Sequence, residues 1–131
     1  MSSFIDTSAF YAALDAGDQN HGRATDWFAE AHARSERFLT HNYVVVETAA
    51  VVRRRFGAAA LPALFDGLLT PIRVLFVDAP LHRAAIAAHL ASPSKPSLVD
   101  QVSFRLMRDR GITTAFTFDE DFDRAGFETV P

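Results

Sequence analysis

The sequence predicts an α/β fold organised around a mostly parallel sheet, and three observations carry that prediction. Short apolar runs alternate with helical patterns along the chain, as parallel strands joined by crossovers require. Hydrophobic residues make up 49% of the 131, enough for one sizeable core and compatible with a single domain over residues 1–131. No internal repeat or low-complexity tract breaks the alternation.

Taken in order, Ser3 to Asp6 is a brief strand ending in a carboxylate. Ser8 to Ala16 is a helix closed by Gly17, and Asn20 to Arg34 is a second, with Trp27, Phe28 and Ala31 forming its apolar stripe. Phe38 to His41 is a strand. Tyr43 to Phe56 is a long helix with Gly57 as its C-cap. Ala58 to Leu69 continues the helical pattern through Leu61, Leu64, Phe65, Leu68 and Leu69. Ile72 to Val77 is rich in β-branched and apolar residues and is the third strand. Pro80 to Leu90 and Leu98 to Arg110 are helices, the latter ending at Gly111. The stretch ASPSKPS, Ala91 to Ser97, is a loop between them. Thr113 to Phe118 and Phe127 to Val130 complete the strands.

Composition narrows the function. The absence of cysteine excludes disulfides and thiolate zinc sites and suits a reducing cytoplasm. The N-terminus MSSFIDTSAF lacks the basic and apolar regions of a signal peptide. No run of about 18 apolar residues offers a membrane span. The net charge of −3 argues against a nucleic-acid partner at first sight. Setting aside four clustered carboxylates removes the imbalance, because the remaining acids nearly match the 13 Lys and Arg.

In parallel α/β sheets ligands bind beyond the carboxyl ends of the strands, which singles out certain acids. Asp6 ends the first strand; it is also a good helix N-cap. Glu47 sits among Tyr43, Val44, Ala50 and Val51 on a helix, so it is partly buried. It therefore needs a compensating arginine, a raised pKa or a cation. Asp100 completes a capping box, Ser97-Leu98-Val99-Asp100, a role compatible with facing a metal. Asp119 follows the strand TAFTF, with Asp121 and Asp123 close by. Either Asp119 or Asp121 serves as the inner ligand; Asp119 lies nearer the strand end. Converging carboxylates repel one another unless cations occupy them, and an oxygen-only set suits Mg²⁺ or Mn²⁺. Such ions serve phosphodiester hydrolysis.

The segments FIDTSAF, VVVETAAVV, PSLVDQVSF and TAFTFDEDF, in that order, resemble the PIN-domain family, and more narrowly the VapC-type toxins of bacterial toxin–antitoxin pairs. The likeness covers nearly the whole chain. It implies a three-layer α/β/α fold and a Mg²⁺- or Mn²⁺-dependent endoribonuclease acting on RNA. By similarity the catalytic acids are Asp6, Glu47, Asp100 and Asp119. Where the family often carries a histidine two places after the last acid, this chain has Asp121, which leaves both aspartates open as the fourth ligand. The resemblance also implies a homodimer and a cognate antitoxin that inserts near the site. The Leu61/Leu64/Phe65/Leu68 face either lines a groove for that partner or belongs to the core.

The run Arg53-Arg54-Arg55 either guides a phosphate backbone or is a solvated helix end favoured by the dipole. Arg105, Arg108 and Arg110 divide in the same way. His82 and His89 lack a third ligand and make no metal motif. A phosphate-handling receiver or phosphatase wants a second acid beside Asp6 or a lysine after a late strand, whereas the sole lysine, Lys95, lies in a loop. The remaining alternative is a non-catalytic RNA- or protein-binding module of the same fold.

Overall fold

The structure, a computed structural model, describes residues 1–92 and 96–131. Strand β1 (Ser2–Ile5) leads into helices α1 (Thr7–Leu14) and α2 (His21–Ala33). Strand β2 (Arg37–His41) runs directly into α3 (Asn42–Phe56), and β3 (Ile72–Leu75) follows. Helices α4 (Ala79–Ala91) and α5 (Leu98–Arg110) precede β4 (Thr114–Phe116), α6 (Glu120–Arg124) and β5 (Glu128–Val130). The part of the predicted 91–97 loop that contains Lys95 lies outside the described residues.

All four strand pairings are parallel, in the order β3-β2-β1-β4-β5. The chain moves outward from β1 to β2 and β3, then crosses back to β4 and β5. Right-handed crossovers then put α1–α3 on one face and α4–α6 on the other, making three layers. Contacts of α1 with α2 and α3, and of α5 with α4 and α6, agree with that division. The order reverses between β1 and β4, and the carboxyl ends of these two strands frame the crevice where such sheets bind ligands.

Phenylalanine, present 12 times, supplies much of the core. Ser3 pairs with Phe38 and Ile5 with Phe116, so Phe38 and Phe116 share a sheet face. There they meet Trp27 and Phe28 of α2, with Phe116 and Trp27 centroids 4.2 Å apart. On the opposite face, Phe4 stacks on Phe122, which meets Phe104 of α5 edge-on.

One predicted element differs. Residues 58–69 are not a continuous α-helix but a 3₁₀ turn (Ala58–Ala60) and a wider π-type segment (Ala63–Leu68). Pro62 has no amide hydrogen to continue the first turn, and its ring crowds the carbonyl four residues back. Beyond it, Leu69 N–H bonds the carbonyl of Leu64, five residues earlier. Leu64 is fully buried and Leu68 packs against the core, while Phe65 is 46% exposed. The face thus divides between core and surface.

Candidate active site

The strand register brings the first acid to its neighbours. Ile5 pairs with Phe116, so Asp6 and Thr117 emerge side by side from β1 and β4. The Asp6 amide continues the ladder to the carbonyl of Phe116 at 3.1 Å. Asp6 occupies the N-cap position of α1, yet its side chain caps nothing. Instead Oδ2 accepts hydrogen bonds from Ser8 Oγ (2.9 Å) and Thr117 Oγ1 (3.0 Å). Ser8 in turn accepts from the amide of Phe118, and Thr117 from that of Asp119, which locks both hydroxyls in place. Asp6 is buried, and its carboxyl is pushed up to about 6 by that burial and then by the negative charge of Asp100. The two hydroxyl bonds pull the other way.

Asp100 is buried in the first turn of α5 and makes the predicted capping box. Its Oδ2 accepts from the Ser97 amide, and Ser97 Oγ accepts from the Asp100 amide, each at 3.1 Å. Burial raises its pKa, and Asp119 and Asp121 add to the shift. Asp119 is the N-cap of α6, a helix too short to show any periodicity, and its Oδ1 accepts from the Asp121 amide at 2.9 Å. Asp121 is buried, with Oδ1 held by Arg124 at 3.1 Å. Asp100, Asp119 and Asp121 each place one oxygen within 4.8 Å of the others. The acids on either side of the Asp119/Asp121 choice therefore both stand in the cluster.

Glu47 is half-buried on α3, as its apolar neighbours predict. A partner the sequence did not suggest is the hydroxyl of Thr7, which donates to Oε1 at 2.6 Å. Asp6, Glu47, Asp100 and Asp119 line one open cleft of about 400 Å³, together with Thr7, Ser8, Tyr11, Val51 and Ser97. All the donors are hard oxygens, and a divalent cation offsets both the burial that chiefly raises Asp6 and Asp100 and the mutual repulsion that adds to it. The residues present therefore fit such an ion.

Beneath the cleft lies a polar relay absent from the sequence reading. The Val44 amide donates to His41 Nδ1 at 3.3 Å, so the ring hydrogen resides on Nε2 and is donated to Ser103 Oγ at 2.8 Å. Ser103 passes its own hydrogen to the carbonyl of Val99, next to Asp100. The relay joins the start of α3, which carries Glu47, to the first turn of α5. Burial lowers the pKa of His41 to about 4. The available signal was a polar Ser103 on an apolar helix stripe. As for the paired histidines, His82 Nδ1 bonds the hydroxyl of Tyr43 at 2.6 Å and, among the described residues, joins no acidic cluster.

The PIN domain family matches residues 3–128. VapC20 of Mycobacterium tuberculosis, described as a 23S rRNA-specific endonuclease, is 40% identical over 132 residues, covering 97% of this chain and 96% of its own. The crystal structure of M. tuberculosis VapC20, described as a sarcin-ricin loop cleaving toxin, aligns with a TM-score of 0.86 and 36% identity over the whole of both chains. VapBC2 from Rickettsia felis, bound to a promoter DNA fragment, aligns at 0.74 and 12% identity, covering 98% of this chain and 97% of its own. FitAcB from Neisseria gonorrhoeae aligns at 0.71 and 15%, covering 100% and 97%. At these last two identities the likeness is one of fold.

Proposed function

The chain belongs to the PIN-domain family, and from that premise we propose that it is a divalent-metal-dependent endoribonuclease, the toxin of a type II toxin–antitoxin pair. One observation carries the reading: the Asp100, Asp119 and Asp121 carboxylates converge beside buried Asp6 and half-buried Glu47 at the switch point of the sheet.

Asp100, Asp119, Asp121 and Asp6 are the residues that would hold Mg²⁺ or Mn²⁺, with Glu47 at the margin. Such an ion supplies charge neutralisation for a phosphodiester and Lewis acidity toward the attacking water. The protein's own contribution is positional. Ser8 and Thr117 fix the Asp6 carboxylate, the capping box fixes Asp100, and Arg124 fixes Asp121. Thr7 occupies Oε1 of Glu47, leaving Oε2 to orient the water and accept its proton during in-line attack.

The substrate is RNA, and 23S ribosomal RNA is the first to test, given the specificity named for VapC20. A cognate antitoxin and a second copy of the chain are the proposed protein partners, with residues 1–131 acting as one nuclease domain. The cytoplasm is the proposed site of action; no helix among the described residues is long and apolar enough to cross a membrane.

The test is incubation of antitoxin-free protein with purified ribosomal RNA and Mn²⁺, followed by mapping of the cleaved ends. Discrete fragments that disappear with chelator and with Asp100→Asn are expected. Intact RNA together with no Mn²⁺ uptake by folded protein would move the assignment to a non-catalytic binding module.

A further inference from the structure

The acidic cleft does not end at Glu47. Along α3, Val51, Arg54 and Arg55 follow four, seven and eight residues after it and continue the same face. On α1, which packs against α3, Tyr11 follows Thr7 by one turn. Tyr11, Val51, Arg54 and Arg55 line a second hollow of about 400 Å³ that shares Tyr11 and Val51 with the acidic one. Seven residues of helix rise about 10 Å, so the guanidiniums stand on the scale of neighbouring nucleotides from the acids.

The chemistry of this hollow differs from that of a plain charged surface. The Phe56 ring stacks on that of Tyr11, tilted by 20° with centroids 6.3 Å apart, and is 43% exposed. Arg55 reaches over the Tyr11 ring, 6.0 Å from its centre, and stands 3.9 Å from Asp15. Arg53 and Arg54 are exposed and form no ion pair among the described residues. The dipole at the end of α3 explains why cations gather there, but not why the Phe56 ring is exposed among them beside a half-buried Tyr11.

We infer that Tyr11, Arg54, Arg55 and Phe56 form a nucleotide-binding subsite for the RNA substrate. The guanidiniums take backbone phosphates beside the scissile bond, and the aromatic pair stacks an unpaired base. This rests on the ribonuclease reading above and deepens it. An acidic peptide would engage the arginines too, yet it would leave the rings idle.

The test is fluorescence-polarisation binding of a labelled RNA hairpin carrying the sarcin–ricin loop sequence, with every variant built on Asp100→Asn so that binding is read without cleavage. Arg54→Ala/Arg55→Ala is expected to bind about tenfold or more weakly and to lower the slope of log affinity against log salt by about 1.4, two phosphate contacts on a single strand. Phe56→Leu is expected to weaken binding about five- to tenfold with the slope unchanged. Arg73→Ala/Arg83→Ala, at exposed positions on β3 and α4, is the control and is expected to bind as the parent does. Thermal melts establish that each variant is folded; should Phe56→Leu melt early, the arginine pair decides. Unchanged affinity and slope in that pair overturns the subsite, as does an equal loss in the control pair. So does RNA binding that survives while binding to an acidic peptide is lost. Because the readout is binding by an inactive protein, these failures leave RNA cleavage by the wild type standing. Absent cleavage by the wild type, conversely, bears on the nuclease reading alone.

Discussion

Asp6 and Thr117 are 111 residues apart in sequence and joined by a 3.0 Å hydrogen bond, because the register of β1 on β4 ends both strands at the same level. Ser8 completes the arrangement, donating to the same Asp6 oxygen and lying 3.1 Å from the Thr117 hydroxyl. The three side chains form one unit in which two neutral donors steady a buried carboxylate.

Thr117→Val keeps the shape of the side chain and removes the donor. The Asp6 carboxyl is then expected to hold its proton to higher pH, since one of the bonds that stabilise its charged form is gone. Mn²⁺ affinity measured by calorimetry should fall about tenfold at pH 6.5 and less at pH 8. An equal loss at both values would mean that Thr117 acts through packing alone.

Two buried groups make opposing contributions to acid stability in metal-free protein. His41 titrates near 4 when folded against 6.5 when unfolded, so its contribution is lost as pH falls from 6.5 toward 4. Asp6 titrates near 6 when folded against 3.8 when unfolded, so burying its charge costs stability at neutral pH. That cost is relieved as pH falls from 6 toward 3.8. Asp6→Asn is therefore expected to be more stable than wild type at pH 7 in urea denaturation with chelator. Below pH 6 it should lose stability faster, by up to about 1.4 kcal/mol per pH unit. Parallel profiles for the two proteins would contradict the Asp6 assignment; a flat profile for Asp6→Asn between pH 6.5 and 4 would contradict that of His41.

Asp119→Asn separates chemistry from architecture. Asparagine retains the oxygen that caps α6, so the melting temperature should stay close to that of wild type. Mn²⁺ affinity should nevertheless fall by about tenfold or more, because a charged ligand has become neutral. Unaltered affinity would assign the ligand role to Asp121 in its place.

The aromatic cluster between the sheet and α2 contributes to stability. Phe116 is fully buried against Trp27 and Phe28, and Phe116→Ala is expected to cost about 3–5 kcal/mol in chemical denaturation. A loss under about 1 kcal/mol would show that Trp27 and Phe28 refill the space.

The alternation of strands and helices was legible because each element carries its own local signal. Gly57 and Gly111 mark helix ends and adopt the positive φ that favours glycine there, and Ser97 with Asp100 announces a capping box that forms as expected. The acids at strand ends were legible for the same reason. Contacts that depend on register or on distant packing were not. Thr7 bonds Glu47 across 40 residues and His41 meets Ser103 across 62, separations at which no local pattern operates. The helical stripe of Leu61 to Leu69 suggested one α-helix because Pro62 does not disturb the apolar spacing, although it interrupts the backbone bonding.

The most direct test of the central claim is the initial rate of RNA hairpin cleavage as Mn²⁺ is titrated, with wild type and Asp100→Asn side by side. Asparagine preserves an acceptor for the Ser97 amide, so the variant should remain folded while its charge is removed. A saturable rise in rate for wild type, abolished or shifted to far higher Mn²⁺ in Asp100→Asn, is the expected result. Cleavage that proceeds equally in both proteins, or without added metal in the presence of chelator, would contradict the assignment of this carboxylate cluster as the catalytic centre.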